Sequence, residues 1–222
     1  MKTRLFKTIV ILSVILISCK KQEVNITSTA SLLVTNVVNG GGNLFLGTNS
    51  IPVYNFYFQS YGMLAGSQQI KLVDTVGVDR LYYDSTAELI NGGVYSLFLT
   101  GSTNDVESVF IKEETIYQHA EDVFGVRVIN LSTAKMSINV NLAGAEDGSF
   151  VSKLPFKAIT KFKIISSAAI EGDKTFEIRD AVKGTLLATF TVPSYDMPRF
   201  ANITLVFAGD ATSAFIFRLN NY

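Results

Sequence analysis

Phe124-Gly125-Val126-Arg127-Val128-Ile129-Asn130 repeats the pattern of Ala30-Ser31-Leu32-Leu33-Val34-Thr35-Asn36. Laid end to end, Val128 falls on Val34 and Asn130 on Asn36. Both stretches are dense in β-branched and apolar residues, and the first is stopped by Gly40-Gly41-Gly42. An apolar, β-branched run bounded by turn residues is a strand signal. Its return in the second half of the chain predicts two diverged copies of one unit of about 90–100 residues, a size that suits a small β-sandwich.

The runs that follow support that reading. In the first copy, Val53 to Ser60 reads as a strand with Tyr54, Phe56 and Phe58 inward and Asn55, Tyr57 and Gln59 outward. Gln69 to Asp74 buries Ile70 and Leu72, and Leu81-Tyr82-Tyr83 makes a further strand before a short turn over residues 84–90. Tyr95, Leu97 and Leu99 share one face of a strand closed by Gly101, and Ser108 to Lys112 ends the unit. In the second copy, Ile138, Val140 and Leu142 point inward with Asn139 and Asn141 out. Phe162 and Ile164 point in between Lys161 and Lys163, and Phe176 and Ile178 point in between Glu177 and Arg179. Leu186 to Val192 and Ile203 to Ala208 follow, the latter closed by Gly209 as Gly101 closes its counterpart. Phe215, Phe217 and Leu219 form the last strand. The expected core of this copy is Val128, Ile138, Val140, Phe162, Ile178, Leu205 and Phe207, with Arg127 outside.

No stretch carries a capped helical period longer than a turn or two. The expected fold is therefore all-β: two immunoglobulin-like β-sandwich repeats, residues 30–118 and 124–222, with a boundary between Tyr117 and Val123. One larger sandwich or barrel built from both halves is the alternative.

The N-terminus sets the expected compartment. Lys2, Arg4 and Lys7 precede an apolar run from Ile9 to Leu16, the layout of a secretory signal peptide over residues 1–18. The run is too short to span a bilayer, which needs about 20 residues. Leu16-Ile17-Ser18-Cys19 resembles the bacterial lipobox. That resemblance implies cleavage before Cys19 and acylation of Cys19, so the expected partner is a membrane, held through the lipid. Cys19 is the only cysteine, so no intramolecular disulfide exists. Residues 19–29 are mostly polar and read as a flexible tether. By resemblance to enterobacterial sorting, Lys20 lacks the inner-membrane retention signal and favours the outer membrane.

Composition narrows the function. The chain has 19 basic and 19 acidic residues, and loss of the basic signal leaves the mature part weakly acidic. That surface has no footprint for nucleic acid. With 16 Phe, 9 Tyr and no Trp, the aromatic content suits packed β-structure and not disorder.

Three motifs resemble the DUF4397 family. Val126-Arg127-Val128-Ile129-Asn130-Leu131-Ser132 looks like its opening strand. Asn91-Gly92-Gly93-Val94-Tyr95-Ser96-Leu97-Phe98-Leu99-Thr100-Gly101 looks like its later strand, and Phe176-Glu177-Ile178-Arg179-Asp180-Ala181 its middle one. The resemblance covers most of residues 30–222 and implies a bacterial envelope lipoprotein or surface protein, with no catalytic residues to carry over. The second copy departs from the pattern, with Pro198-Arg199-Phe200 in place of the glycine turn and Ile203 where Tyr95 stands.

Catalytic chemistry is thinly represented. A Ser-His-Asp arrangement needs a histidine, and His119 is the only one, in the linker between copies. No P-loop, GxSxG or HExxH is present, so no cofactor, no metal and no enzymatic activity is expected. Adjacent acids occur as Glu113-Glu114, Glu121-Asp122 and Glu146-Asp147. Neighbours on a strand point to opposite faces, so a glycosidase pair would need a partner from elsewhere, and Glu146-Asp147 reads as a hydrated turn with a weak capacity for calcium. The feature left to bind a ligand is aromatic. Tyr57 faces out, with Tyr61, Tyr82 and Tyr83 expected near it, and such platforms stack sugar rings or anchor peptides. A glycan or an envelope protein is the expected partner, and assembly through uncovered sheet edges, as in an adhesin, is the alternative function.

Overall fold

A computed structural model describes residues 27–74, 80–114 and 118–221. The signal peptide, Cys19 and most of the tether lie outside the described residues. The described chain is all-β. In the first repeat the strands are β1 (Thr29–Asn36), β2 (Leu44–Leu46), β3 (Tyr57–Leu64), β4 (Gly66–Asp74), β5 (Arg80–Leu89), β6 (Val94–Ser102) and β7 (Asp105–Lys112). In the second they are β8 (Val123–Asn130), β9 (Ile138–Leu142), β10 (Val151–Leu154), β11 (Lys163–Ser166), β12 (Lys174–Asp180), β13 (Leu186–Val192), β14 (Asn202–Ala208) and β15 (Phe215–Asn221).

Each repeat is a pair of sheets. The first has an outer sheet β2-β4-β5 and an inner sheet β3-β1-β6-β7. The second has an outer sheet β10-β9-β12-β13 and an inner sheet β11-β8-β14-β15. The two inner sheets follow one plan: β1 and β8 each pair in parallel with the penultimate strand of the repeat, β6 or β14. Leu32 faces Tyr95 in the first repeat and Val126 faces Ile203 in the second, so Ile203 occupies the place of Tyr95. Among the described residues no strand of one half pairs with a strand of the other.

The recurring asparagines have a physical reason. The Asn36 amide donates to the Gly42 carbonyl at 2.9 Å and accepts from the Val38 N–H at 3.3 Å. The Asn130 amide donates to the Met136 and Leu154 carbonyls and accepts from the Ser132 N–H at 3.2 Å. Both are fully buried and satisfy backbone groups where the strand ends, which a buried polar side chain must do to be tolerated. Gly101 and Gly209 share a left-handed φ, at 93° and 89°. A Cβ there would overlap the carbonyl of Asp105 or Ser213, so each hairpin requires glycine.

Two cores fill the sandwiches. Leu32, Val34, Ile70, Leu72, Leu97 and Leu99 build the first, and Val128, Ile138, Val140, Ile178, Leu205 and Phe207 the second. A third apolar cluster lies between the inner sheets, where Val37 and Phe98 meet Ile129, Leu131, Val206 and Leu219. The molecule is thus four sheets deep. This explains why all seven residues of β14 are buried, and why β6 and β8 carry apolar residues on both faces.

Several expectations are corrected. The sandwich class does not extend to the immunoglobulin strand order, in which the first two strands share a sheet; here β2 lies across from β1. Residues 84–89 continue strand β5 instead of turning, because β4 pairs with them throughout. Strand β3 begins at Tyr57, so Tyr54 and Phe56 precede it and are exposed. Strand β11 is shifted by one residue: Ile165 packs in the core and Ile164 is 56% exposed. Phe162 precedes β11 and lies 4.6 Å under the Arg127 guanidinium. Asn139 and Asn141 are buried, Asn139 by bonding Asp147 and the Lys153 N–H, and Asn141 by bonding Glu177. Arg127 is buried too, because its face of β8 is covered by the first repeat.

Candidate functional site

The four tyrosines do not form a platform. Tyr57 is 55% exposed and stacks on Phe58 with ring centroids 4.9 Å apart. Tyr61, four residues on along the same face of β3, is 5% exposed inside the first core, and its hydroxyl donates to the Ile51 carbonyl at 2.8 Å. That burial pushes its pKa up to about 12. Tyr82 is buried on β5 in the opposite sheet, donating to the Asp74 carboxylate at 3.0 Å. Burial first, and then the Asp74 carboxylate, raises its pKa. Tyr83 is half-buried against the same core. A surface site made of Tyr57, Tyr61, Tyr82 and Tyr83 is therefore excluded on geometry, since two of the rings are interior and they sit on two different sheets.

His119 is also structural in its contacts. Its ring Nε2 lies 3.0 Å from the Asn202 side-chain oxygen, and its backbone N–H donates to the Phe200 carbonyl. Gly125 permits that approach, because a Cβ at this position would overlap the Asn202 amide. Among the described residues no cluster of His, Cys, Asp and Glu is placed to hold a metal ion. Glu146 is exposed and Asp147 bonds Asn139, so this turn gathers no calcium set.

The concave feature lies where the inner sheets part. At one end of their interface, apolar side chains meet. Toward the other end, the facing side chains become polar: Ser96 and Glu113 from the first repeat, Arg127, Thr204 and Asn221 from the second. Arg127 makes a bidentate pair with Glu113 at 2.7 and 2.8 Å and donates through Nε to Thr204 at 2.8 Å. Ser96 donates to Glu113 at 2.5 Å, and Thr204 donates to Asn221 at 2.6 Å. The planar guanidinium fork matches a carboxylate in this way, and the two Arg127–Glu113 bonds are the ones in this network that cross between the repeats.

Open space flanks this network. A cleft of about 560 Å³ is lined by Leu33, Phe58 and Val94 on its apolar side and by Ser31, Ser60 and Asn220 on its polar side, with Lys112 and Glu114 also lining it. A second cleft of about 400 Å³ exposes the other flank of the pair, between Arg127, Phe162 and Lys161. The larger one has the size and mixed lining of a small-ligand site. The sequence hides it, because alternation along β8 puts Arg127 in solvent. The available signal was the apolar character of both faces of β6 and β14, which only a second covering layer explains.

The fold and the cleft define a tandem β-sandwich protein. No protein-family model matches the chain, and no curated protein matches it. Among solved structures, the C-terminal domain of AlgF from P. aeruginosa is similar at 20% identity, covering 39% of this chain and 99% of that one, with a TM-score of 0.31. An overlap that low carries no argument about fold or function. No described helix is long and apolar enough to cross a membrane.

Proposed function

We propose that the chain is a non-catalytic, lipid-anchored module of the bacterial outer membrane that binds an uncharged polar ligand, of saccharide type, in the cleft between its repeats. The cleft lining carries this reading. Hydroxyl and amide groups of Ser31, Ser60 and Asn220 surround the apolar surface of Leu33, Phe58 and Val94. A sugar ring offers CH groups for the apolar side and hydroxyls for the rim. The absence of a catalytic role is supported by His119, whose ring is paired with an amide and not with a hydroxyl or carboxylate. The anchor rests on Leu16-Ile17-Ser18-Cys19, and the resemblance to DUF4397 envelope proteins agrees with it.

Two experiments test the parts separately. For the anchor, Cys19→Ala abolishes incorporation of labelled fatty acid and releases the protein from membranes; wild type without lipid label sinks this half. For the cleft, a glycan array identifies ligands of the wild type. Val94→Trp, which fills the cleft from a partly exposed position, then removes binding without lowering Tm. A wild type that binds no glycan, or binding unchanged by Val94→Trp, means the cleft is not a saccharide site.

A further inference from the structure

Strand β3 is an edge of the inner sheet, and it lacks the devices that usually protect an edge. It is eight residues long and contains no charge and no proline. Other edges carry charge or are short: β7 has Asp105, Glu107 and Lys112, β11 Lys163, β15 Arg218, β5 Arg80, Asp84 and Glu88, β10 Lys153, and β2 is three residues long. The uncharged edge β13 runs alongside β15. No charged residue stands anywhere between Glu23 and Lys71. Within that stretch Ile51, Tyr54, Phe56, Tyr57 and Leu64 are all exposed. An exposed, uncharged edge flanked by apolar residues is a template for another strand.

The register says which strand it fits. Ala65 donates to the Ser28 carbonyl, and Met63, Tyr61, Gln59 and Tyr57 lie opposite Ala30, Leu32, Val34 and Asn36. Ser31, one residue along β1 from Ala30, is turned to the other side and donates to Gly93. Gln59, Tyr61 and Met63 therefore bond β1, while at the strand start the Asn36 carbonyl accepts from Phe56, and Phe58, Ser60, Gly62 and Leu64 turn their N–H and C=O groups outward. Antiparallel pairing of this edge with itself about Tyr61 sets Phe58 opposite Leu64 and Ser60 opposite Gly62. Every outward residue then meets an outward residue, and no like charges face each other. We infer that β3 pairs antiparallel with β3 of a second copy of this chain about a two-fold axis at Tyr61. The inner sheets join into one eight-stranded sheet. The contact is isologous, so it closes at two copies. It goes beyond the cleft reading and does not depend on a ligand.

The test is cross-linking of the whole chain in the cell envelope. Two differently tagged copies are co-expressed, one with Ser60→Cys and one with Gly62→Cys. A Cβ at Gly62 meets nothing within 4 Å, so the substitution fits. Residues opposite each other in a bonded antiparallel pair have Cα atoms about 5.5 Å apart, within disulfide range. Disulfides between unlike copies should exceed those between like copies by about tenfold, and adding Leu64→Lys to both copies should remove them. A second measurement is sedimentation of the detergent-solubilised chain, where Gly62→Pro should raise the dimer dissociation constant by about tenfold or more. The proline removes an N–H that no bond within the chain uses. Should Gly62→Pro fail to fold, Leu64→Lys decides by the same measurement. Absence of cross-links, equal yields from like and unlike copies, or a dimer indifferent to Leu64→Lys overturns the inference.

Discussion

At the residue scale, what decides a polar side chain's role here is the layer that covers it. Tyr61 and Tyr57 lie on the same face of one strand, yet the first is interior and the second exposed. Their chemistry should separate accordingly. Tyr61 keeps its proton up to about pH 12 because ionisation inside the core is costly. Its folded pKa is raised above the ordinary value of 10, so its contribution to stability is complete below pH 10 and is lost as pH rises toward 12. Tyr82 shifts in the same direction. An alkaline absorbance titration should show Tyr61 and Tyr82 ionising above the ordinary tyrosine range, together with unfolding; early ionisation of Tyr61 would place it at the surface. Arg127 is the second case. Removing one partner of a buried pair leaves a charge uncompensated and costs about 3–5 kcal/mol. Arg127→Ala should lose that much, measured by urea denaturation, whereas the double change Arg127→Met with Glu113→Leu should lose far less. Neither residue's burial was legible in the sequence, because each sits in an alternating strand whose polar face is covered by something distant in the chain.

At the element scale, strands were readable wherever only one face is buried. In β12, Phe176 and Ile178 alternate with Glu177 and Arg179, and the register read from that alternation holds. Arg179 is paired only with Glu177 and the Gly184 carbonyl near the surface, so Arg179→Ala should cost about 0.5 kcal/mol. Phe207, fully buried on β14, should cost about 3–5 kcal/mol as Phe207→Ala. Near-equal losses in the two melting curves would contradict this assignment of faces. Alternation misled at β11, where Phe162-Lys163-Ile164-Ile165 fits two registers by hydrophobicity alone. The structure chooses the one with Ile165 inside, through pairing of Ile165 with Phe124. A one-residue slip exchanges the two faces of a strand. Ile165→Lys should therefore unfold the second repeat at a temperature where Ile164→Lys does not.

At the scale of the whole molecule, the repeat was visible in sequence and the way the repeats join was not. The recurring Asn36 and Asn130 strands mark two units, but the cluster of Val37, Phe98, Ile129, Leu131, Val206 and Leu219 welds them. Thr100 adds a hydrogen bond to the Leu131 carbonyl at 2.6 Å, and Glu107 pairs with Lys135 and Lys157 from the second repeat. An interface that combines an apolar cluster with a buried ion pair resembles a core more than a transient contact between domains. Limited proteolysis should cut in the stretch around His119, whose neighbours Gln118, Ala120 and Glu121 are exposed. Two fragments should appear on a denaturing gel. Under native conditions they should still elute as one species, because the cut leaves the interface intact. Arg127→Ala should then let the nicked halves separate, since it breaks the polar part of the contact and leaves Glu113 unpaired in the first half. Halves that separate in the wild type would mean the apolar cluster is too weak to hold them, and the cleft between them could not keep a fixed shape for a ligand.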